Sequence, residues 1–348
     1  MKILVTGGAG FIGSHVAEFY AKRGDEVTVI DNLSRPALLK REIKNFDYNW
    51  RYLGKYKNVR LVKADINEQA KMQELARDAD AMVHTAAQTA VTTSVTDPQP
   101  DFQSNAAGTF SVLEAARKSP TCKAIVYCST NKVYGDNPNS IPVRAEGKRY
   151  VFSDPKYAAG IPESFSIDHC EHTPYGCSKL TADLYMQDYA RLYGLKTGVF
   201  RMSCIYGTRQ LGVEDQGWVA HFVISTILGK PLTIYGDGKQ VRDVLFVTDL
   251  VEAYDSFLSN KGIRHGVFNT GGGIKNTMSL LELQDMLEEF TGKRSKTSFS
   301  GWRPSDQKVY ISDIRKAEEK LGWKPRTSPR EGVKQLCAWV NENKGIFA

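Results

Sequence analysis

The chain has 348 residues, 41% hydrophobic and 24% charged, which is enough to bury a full core in one large or two unequal domains. Its net charge of +7 comes from 46 Lys and Arg scattered among 39 Asp and Glu without a dense basic block, which argues against a nucleic-acid partner and suits small anionic ligands. Cys122, Cys128, Cys170, Cys177, Cys204 and Cys337 form no C-x-x-C pair and no zinc spacing, the first strand at Lys2 leaves no room for a signal peptide, and no apolar run reaches membrane-spanning length, so reduced thiols, no metal, no membrane and a cytoplasmic location are expected.

Lys2 to Thr6 reads as a buried strand running into Gly7-Gly8-Ala9-Gly10-Phe11-Ile12-Gly13, followed by an amphipathic helix to about Arg23. Gly7, Gly10 and Gly13 permit a tight turn, close backbone approach to a pyrophosphate and close helix packing, with the helix start at Phe11 and Ile12 facing the phosphates. A second strand, Val27 to Ile30, ends in Asp31, whose carboxylate suits ribose hydroxyls and repels a 2′-phosphate. NAD is therefore expected over NADP, with Arg35 nearby keeping the exclusion from being absolute.

Strand and helix patterns then alternate: Val59 to Ala64, a helix near Asn67 to Arg77, Ala81 to His84, a helix near Asp101 to Lys118, Ala124 to Cys128, a helix from Tyr175, and Lys196 to Arg201. This alternation predicts an α/β fold with a doubly wound parallel Rossmann sheet and ligands at the strand carboxyl ends, where Asp65, Ala86, Ala87, Gln88, Thr130 and Arg201 fall. Leu33 to Lys57 and Asn137 to His172 read as insertions reaching over a cleft shared by two lobes.

Thr130 sits at a predicted strand end, while Tyr175 and Lys179 stand four apart at a helix start, on one face. A hydroxyl, a phenol and an ammonium suit hydride transfer, because an alcohol gives up hydride only as something takes its proton. Lowering a phenol by about three units requires about 4 kcal/mol from neighbouring positive charge, which Lys179 and a nicotinamide cation could supply.

The second half changes character. Leu232 to Tyr235 and Val241 to Phe246 suggest two short strands across a glycine turn, with helices beginning near Thr248, Met278 and Pro329 and a strand-to-loop joint at Gly271-Gly272-Gly273. Arg242 and Arg303 are guanidinium groups able to fork onto a diphosphate. His84, His169, His172 and His221 are expected to be satisfied or exposed histidines rather than metal ligands.

Thr6-Gly7-Gly8-Ala9-Gly10-Phe11-Ile12-Gly13, Asp31-Asn32-Leu33-Ser34, His84-Thr85-Ala86-Ala87-Gln88, Asn105-Ala106-Ala107-Gly108-Thr109, Tyr175-x-x-x-Lys179 and Val241-Arg242-Asp243-Val244 together resemble, end to end, the extended short-chain dehydrogenase/reductase family of nucleotide-sugar epimerases and dehydratases. The resemblance implies an NAD-binding domain over 1–201 and 238–262 and a smaller C-terminal α/β nucleotide-sugar-binding lobe over 202–237 and 263–348. It implies Tyr175 as base, Thr130 on the reacting oxygen, and Lys179 also on the nicotinamide ribose. Asp65 and Ile66 are expected by adenine, and Asn32, Ser34, Arg35, Gln88, Asn105 and Arg201 complete the cofactor set. On the substrate it implies Arg242 and Arg303 on the diphosphate, with Gln88, Asn131, Lys132, Ser203, Arg209, Gln216, Trp218, Tyr235 and Asp306 around the rest. Cys204 stands where the family usually has an Asn touching the diphosphate. Tyr185, Tyr189 and Tyr193, spaced by fours, are expected on a homodimer face as in the family.

The reaction branch turns on the residues after Thr130. Dehydration needs a carboxylic acid and base there, and the chain has Asn131 and Lys132, whereas epimerisation by transient oxidation needs no such pair. Gly160-Ile161-Pro162-Glu163, Asp215-Gln216-Gly217-Trp218 and Gly238-Lys239-Gln240-Val241-Arg242 are similar to the branch acting at C2 of CDP-hexoses. The alternatives are epimerisation of a GDP- or UDP-hexose at C2 or C4, or net oxidation of a nucleotide sugar.

Overall fold

A computed structural model describes residues 1–303 and 306–347. The elements in chain order begin with strand β1 (Lys2–Thr6), helix α1 (Phe11–Lys22), β2 (Glu26–Asp31), α2 (Arg35–Leu38), α3 (Tyr48–Leu53), β3 (Val59–Lys63), α4 (Gln69–Arg77) and β4 (Ala81–His84). They continue with α5 (Val91–Thr96), α6 (Pro98–Phe102), α7 (Gly108–Lys118), β5 (Ala124–Thr130), β6 (Val143–Glu146), β7 (Arg149–Phe152), α8 (Thr173–Tyr193), β8 (Lys196–Met202) and β9 (Cys204–Tyr206). The last third holds α9 (Trp218–Leu228), β10 (Leu232–Tyr235), β11 (Val241–Phe246), α10 (Val247–Ser259), β12 (His265–Thr270), β13 (Thr277–Ser279), α11 (Leu280–Thr291), β14 (Thr297–Ser300), β15 (Val309–Tyr310), α12 (Arg315–Leu321) and α13 (Pro329–Glu342).

One compact unit comprises Met1–Val133, Thr173–Arg201 and Val251–Phe268. It is built on a seven-stranded sheet ordered β12-β8-β5-β4-β1-β2-β3. β1 runs parallel to β2 on one side and to β4 on the other, so the strand order reverses between β1 and β4. In an open α/β sheet that reversal leaves a crevice at the carboxyl ends of the strands. Leu4, Ile30, Met82, Ile125 and Val199 fill one face of the sheet together with Val112, Ala116, Ala182 and Met186 from the helices. Each of the Leu, Ile, Met and Val side chains among them contributes about 1.5–3 kcal/mol by leaving water. Runs buried on both faces are what a parallel sheet requires, which is why β1 and β4 read as continuous apolar segments.

The buried stripe of α8 is Tyr175, Ser178, Lys179, Ala182, Asp183, Met186 and Tyr189, a helical period whose first half is polar. The helix predicted from Asp101 to Lys118 is interrupted: α6 passes through a π-helical turn at Gln103–Ala107 before α7 begins. Tyr52 and Tyr56, in the stretch expected to reach over a cleft, donate instead to the Glu18 carboxylate on α1, which holds that stretch against the first helix.

The other unit comprises Tyr134–His172, Met202–Leu250 and Asn269–Ala348. The segment 134–172, counted with the Rossmann part by the sequence reading, packs here because its hairpin β6–β7 and Ile161 are tied to neighbours within this unit: Arg149 to Glu282, and Ile161 bridging Ser312. The pairing of β11 with β9, β13 and β15 brings 238–250 into this unit, and 263–268 belongs to the first. Its core gathers Tyr206, Phe222, Val223, Ile234, Phe246, Leu283, Val333 and Leu336. β10 and β11 do not pair across their glycine turn. β10 takes β14 as a parallel partner, and β11 takes β9, β13 and β15.

Candidate active site

The loop between β1 and α1 is shaped by the absence of side chains. Gly7 has φ +71°, and a Cβ there would lie 2.5 Å from the Ala86 amide nitrogen. A Cβ on Gly13 would lie 2.4 Å from Gly7 O. Gly10 is the N-cap of α1 and offers no side-chain acceptor, so the first-turn N–H groups from Phe11 and Ile12 onward are left to an external anion. Asp31, at the end of β2, accepts from Ala9 N (3.0 Å) and Leu33 N (2.8 Å), which fixes the carboxylate beside the loop. Burial raises its pKa and those two N–H bonds lower it. Asn32 donates to Asp65 (2.6 Å) and accepts from Ser34 N, which ties the ends of β2 and β3 together. Desolvation pushes the half-buried Arg35 guanidinium down to about 10. A cradle of open amides with a carboxylate at the next strand end fits a dinucleotide, and Gly7, Gly10, Phe11, Ile12, Gly13 and Asp31 are the residues that would hold NAD.

Thr130 ends β5 and is buried; Tyr175 and Lys179 are buried on α8, which packs against that strand. Burial drives the Tyr175 phenol up to about 12, and the adjoining Thr130 hydroxyl pulls it down by hydrogen bonding. Lys179 Nζ donates to Cys128 O at 2.5 Å and lies 4.3 Å from the centre of the Tyr127 ring. Burial lowers its ammonium to about 8. The 3-10 turn Asn131–Tyr134 follows Thr130, and Lys132 N donates back to the threonine hydroxyl (3.2 Å).

Gln88 and Asn105 are paired: Gln88 N donates to Asn105 Oδ1 (2.9 Å), and Asn105 Nδ2 donates to Gln88 O (3.1 Å). Arg201, expected at the cofactor, is committed elsewhere. Its guanidinium forks onto Asp183 of α8 at 2.9 and 3.2 Å, both groups being buried, and Asp183 also receives Ser129 Oγ. Removing one partner of such a pair strands a buried charge at a cost of about 3–5 kcal/mol, so Arg201 reads as a pin between β8 and α8. His84 is likewise satisfied, bonded to Thr6 Oγ1 (2.6 Å) and Thr109 Oγ1 (2.9 Å), and burial lowers its pKa to about 3.

In the second unit Arg242 donates to Asp306 (2.6 Å) and to Val241 O. Arg303 lies 4.0 Å over the Tyr235 ring and donates to Asp215 (3.2 Å) and Glu214 O. Tyr235 in turn donates to Glu214 (2.9 Å). Ser203 donates to Asp243 O, and Trp218 Nε1 donates to Cys204 Sγ (3.3 Å), so the cysteine that replaces the usual Asn carries an indole. Arg209 is buried at φ +60°, and Gln216 closes a backbone turn with Val213.

The pattern of the NAD dependent epimerase/dehydratase family matches residues 3–271. The chain belongs to that family. CDP-paratose 2-epimerase of Salmonella typhi is 40% identical, covering 98% of this chain and 99% of that protein. Among solved structures, UDP-glucose 4-epimerase of Thermotoga maritima with UDP-glucose has a TM-score of 0.81 at 32% identity, covering 99% of this chain and 100% of that one. UDP-glucuronic acid 4-epimerase of Bacillus cereus, in complex with UDP-glucuronic acid and NAD, has a TM-score of 0.81 at 28% identity over 98% of this chain and 99% of the other. NAD is the cofactor of the family. Sequence reasoning missed four groups around this epimerase-family pair: the Tyr127 ring and the Cys128 carbonyl on Lys179, the Asp183 partner of Arg201, and a buried carboxylate, Asp101. Asp101 stands four residues before Asn105, and that helical spacing was the available signal.

Proposed function

We propose that the protein epimerises a nucleotide sugar by transient oxidation at C2, interconverting CDP-paratose and CDP-tyvelose. The observation that carries the reaction type is the set of groups after β5. Thr130, Tyr175 and Lys179 supply what an alcohol oxidation needs, while Asn131 and Lys132 supply neither the acid nor the base that elimination across C5 and C6 needs. Similarity to CDP-paratose 2-epimerase along 98% of the chain supports the carbon and the nucleotide.

NAD, held by Gly7, Gly10, Phe11, Ile12, Gly13 and Asp31, would supply a reversible hydride acceptor for C2. Tyr175 Oη takes the C2 hydroxyl proton as the ketone forms and gives it back as the alcohol re-forms. Thr130 Oγ1 holds the same oxygen and favours the phenolate. Lys179, while charged, favours it further. Asn131 and Lys132 orient the sugar ring between the two half-reactions. Arg242 and Arg303 hold the diphosphate, with Ser203, Arg209, Gln216, Trp218, Tyr235 and Asp306 around the nucleotide, and Asn32, Ser34, Arg35, Asp65, Ile66, Ala86, Ala87, Gln88 and Asn105 around the cofactor.

The same reading makes the protein a cytoplasmic homodimer, which would bury the exposed Phe110, Leu184, Tyr185, Leu192 and Tyr193 on α7 and α8. Tyr189 is excluded from that face, being buried with its hydroxyl on Glu114 (2.8 Å). No described helix is long and apolar enough to cross a membrane.

An NMR time course of purified protein with CDP-paratose and no added cofactor tests the function. Appearance of CDP-tyvelose to a fixed ratio is expected. Turnover of GDP- or UDP-hexoses instead would keep the reaction type and overturn the substrate. Accumulation of reduced nicotinamide in step with substrate would identify a net oxidoreductase.

A further inference from the structure

Asp101 on α6 is 1% exposed, and the reaction outlined above does not use it. Its Oδ1 accepts from Asn105 Nδ2 at 3.1 Å, and its Oδ2 has no hydrogen-bond partner. Even the first bond is shared. Asn105 Nδ2 has two hydrogens and three acceptors at 3.1 Å: Asp101 Oδ1, Gln88 O and Ser178 Oγ. Ser178 Oγ donates in turn to Tyr175 O (3.1 Å), so the carboxylate is linked through Asn105 and Ser178 to the first turn of α8. The π-helical turn Gln103–Ala107 begins two residues after Asp101 and carries Asn105, a local departure from α-helix of the kind found at functional sites.

Lys179 has the complementary deficit. It is 3% exposed, and its ammonium is held by a carbonyl and an aromatic ring, with no carboxylate at ion-pair distance among the described residues. A buried carboxylate short of donors and a buried ammonium short of an anion lie on packed elements, α6 and α8. We propose that Asp101 is the buried counter-charge of Lys179 and, through it and through the Asn105–Ser178 link, a positioning residue for Tyr175.

The other groups facing this pair do not replace Asp101. On α8 Asp183 is taken by Arg201, on β5 the Cys128 thiol is driven up to about 11 by burial, and on β4 His84 is neutral. α5 carries no titratable side chain, and those of α7 (Glu114, Arg117 and Lys118) sit in its second half. Burial raises the Asp101 carboxyl, while Ser178 and the Lys179 ammonium pull it back toward the ionised form; once ionised, it makes both the Lys179 ammonium harder to deprotonate and the Tyr175 phenol harder to ionise. Neutralising it lowers both, so an acid limb set by Tyr175 ionisation and an alkaline limb set by Lys179 deprotonation, the two sides of a bell-shaped profile, move together.

The test is the pH dependence of turnover in Asp101→Asn and Asp101→Ser, two neutral replacements of different size, with Asp101→Glu as the charge-retaining control. The neutral variants are expected to shift the whole bell to lower pH by about one unit with KM kept, and Asp101→Glu to restore the wild-type position. Relieved of an under-bonded buried charge, Asp101→Asn is expected to melt no lower than wild type. An unshifted profile, or a shift to higher pH, in whichever neutral variant folds overturns the proposal, and a lowered melting temperature with an unshifted profile marks Asp101 as structural only. The inference rests on the proposed function only through turnover. Should no nucleotide sugar be turned over, ultraviolet tyrosinate titration with Tyr175→Phe as blank reads the same shift, and its absence is equally fatal.

Discussion

The glycine cradle of the first unit and the arginine pair of the second, both proposed above as anion sites, are built in opposite ways. In the cradle the donors are backbone amides, exposed because Gly7, Gly10 and Gly13 carry no Cβ, and the carboxylate beside them is held by two N–H bonds. The arginines are long side chains already lying on carboxylates of their own unit, Arg242 on Asp306 and Arg303 on Asp215. A backbone site is complete before its ligand arrives. A side-chain site of this kind exchanges one anion for another, so only the difference between the two pairings reaches the binding free energy.

Substitutions can break this contrast, and the largest effect lies where the chemistry is. Tyr175→Phe, which keeps the ring and the fold, is expected to lower kcat by at least about 10³-fold while leaving bound NAD in place, as judged by steady-state turnover and by nucleotide released on denaturation. A Tyr175→Phe protein with wild-type turnover would end the mechanism. Gly7→Ala places a methyl group 2.5 Å from the Ala86 amide at a positive φ, so thermal melts should show a loss of about 2–3 kcal/mol together with loss of NAD. The arginines should yield less, because their carboxylates compete. Arg242→Ala or Arg303→Ala is expected to raise KM about tenfold with kcat within about a factor of three, corresponding to one charge-assisted hydrogen bond net of the lost internal pair.

A further prediction concerns the core beneath the cradle. His84 is folded with its pKa near 3 against an ordinary 6.5, so the unfolded chain binds a proton that the folded chain refuses. Its contribution is therefore complete above pH 6.5 and is lost as pH falls from there toward 3. Denaturant unfolding should show wild type losing about 1.4 kcal/mol per pH unit more than His84→Gln across that window. Parallel slopes for the two proteins would contradict the neutral, doubly bonded imidazole.

Much of the first unit was legible from residue order alone. Strands buried on both faces read as apolar runs, glycines and a strand-end Asp mark the cradle, and Tyr175 and Lys179 share a helical face by spacing. The second unit was less legible because its pairings are not local: β10 finds β14 some sixty residues away in preference to β11 beside it, and nothing in Leu232 to Tyr235 announces that. Arg201 and Tyr189 illustrate a different limit. Each sits at a position where the pattern invites a functional role, yet each has an internal partner, Asp183 or Glu114, that only the packed structure brings within bonding distance. The π-helical turn before α7 escaped for a third reason, since Gln103-Ser104-Asn105-Ala106-Ala107 is unremarkable as helix and the partners of the Asn105 it carries, Gln88 and Ser178, are distant in the chain.

The central claim is that the sugar is oxidised and re-reduced at C2 within one site, with Tyr175 handling only the hydroxyl proton. Epimerisation of CDP-paratose in D₂O tests it most directly. The account predicts CDP-tyvelose that retains protium at C2, because the hydrogen leaves and returns without meeting solvent. Product carrying deuterium at C2 would mean that this carbon had been deprotonated, and would contradict it.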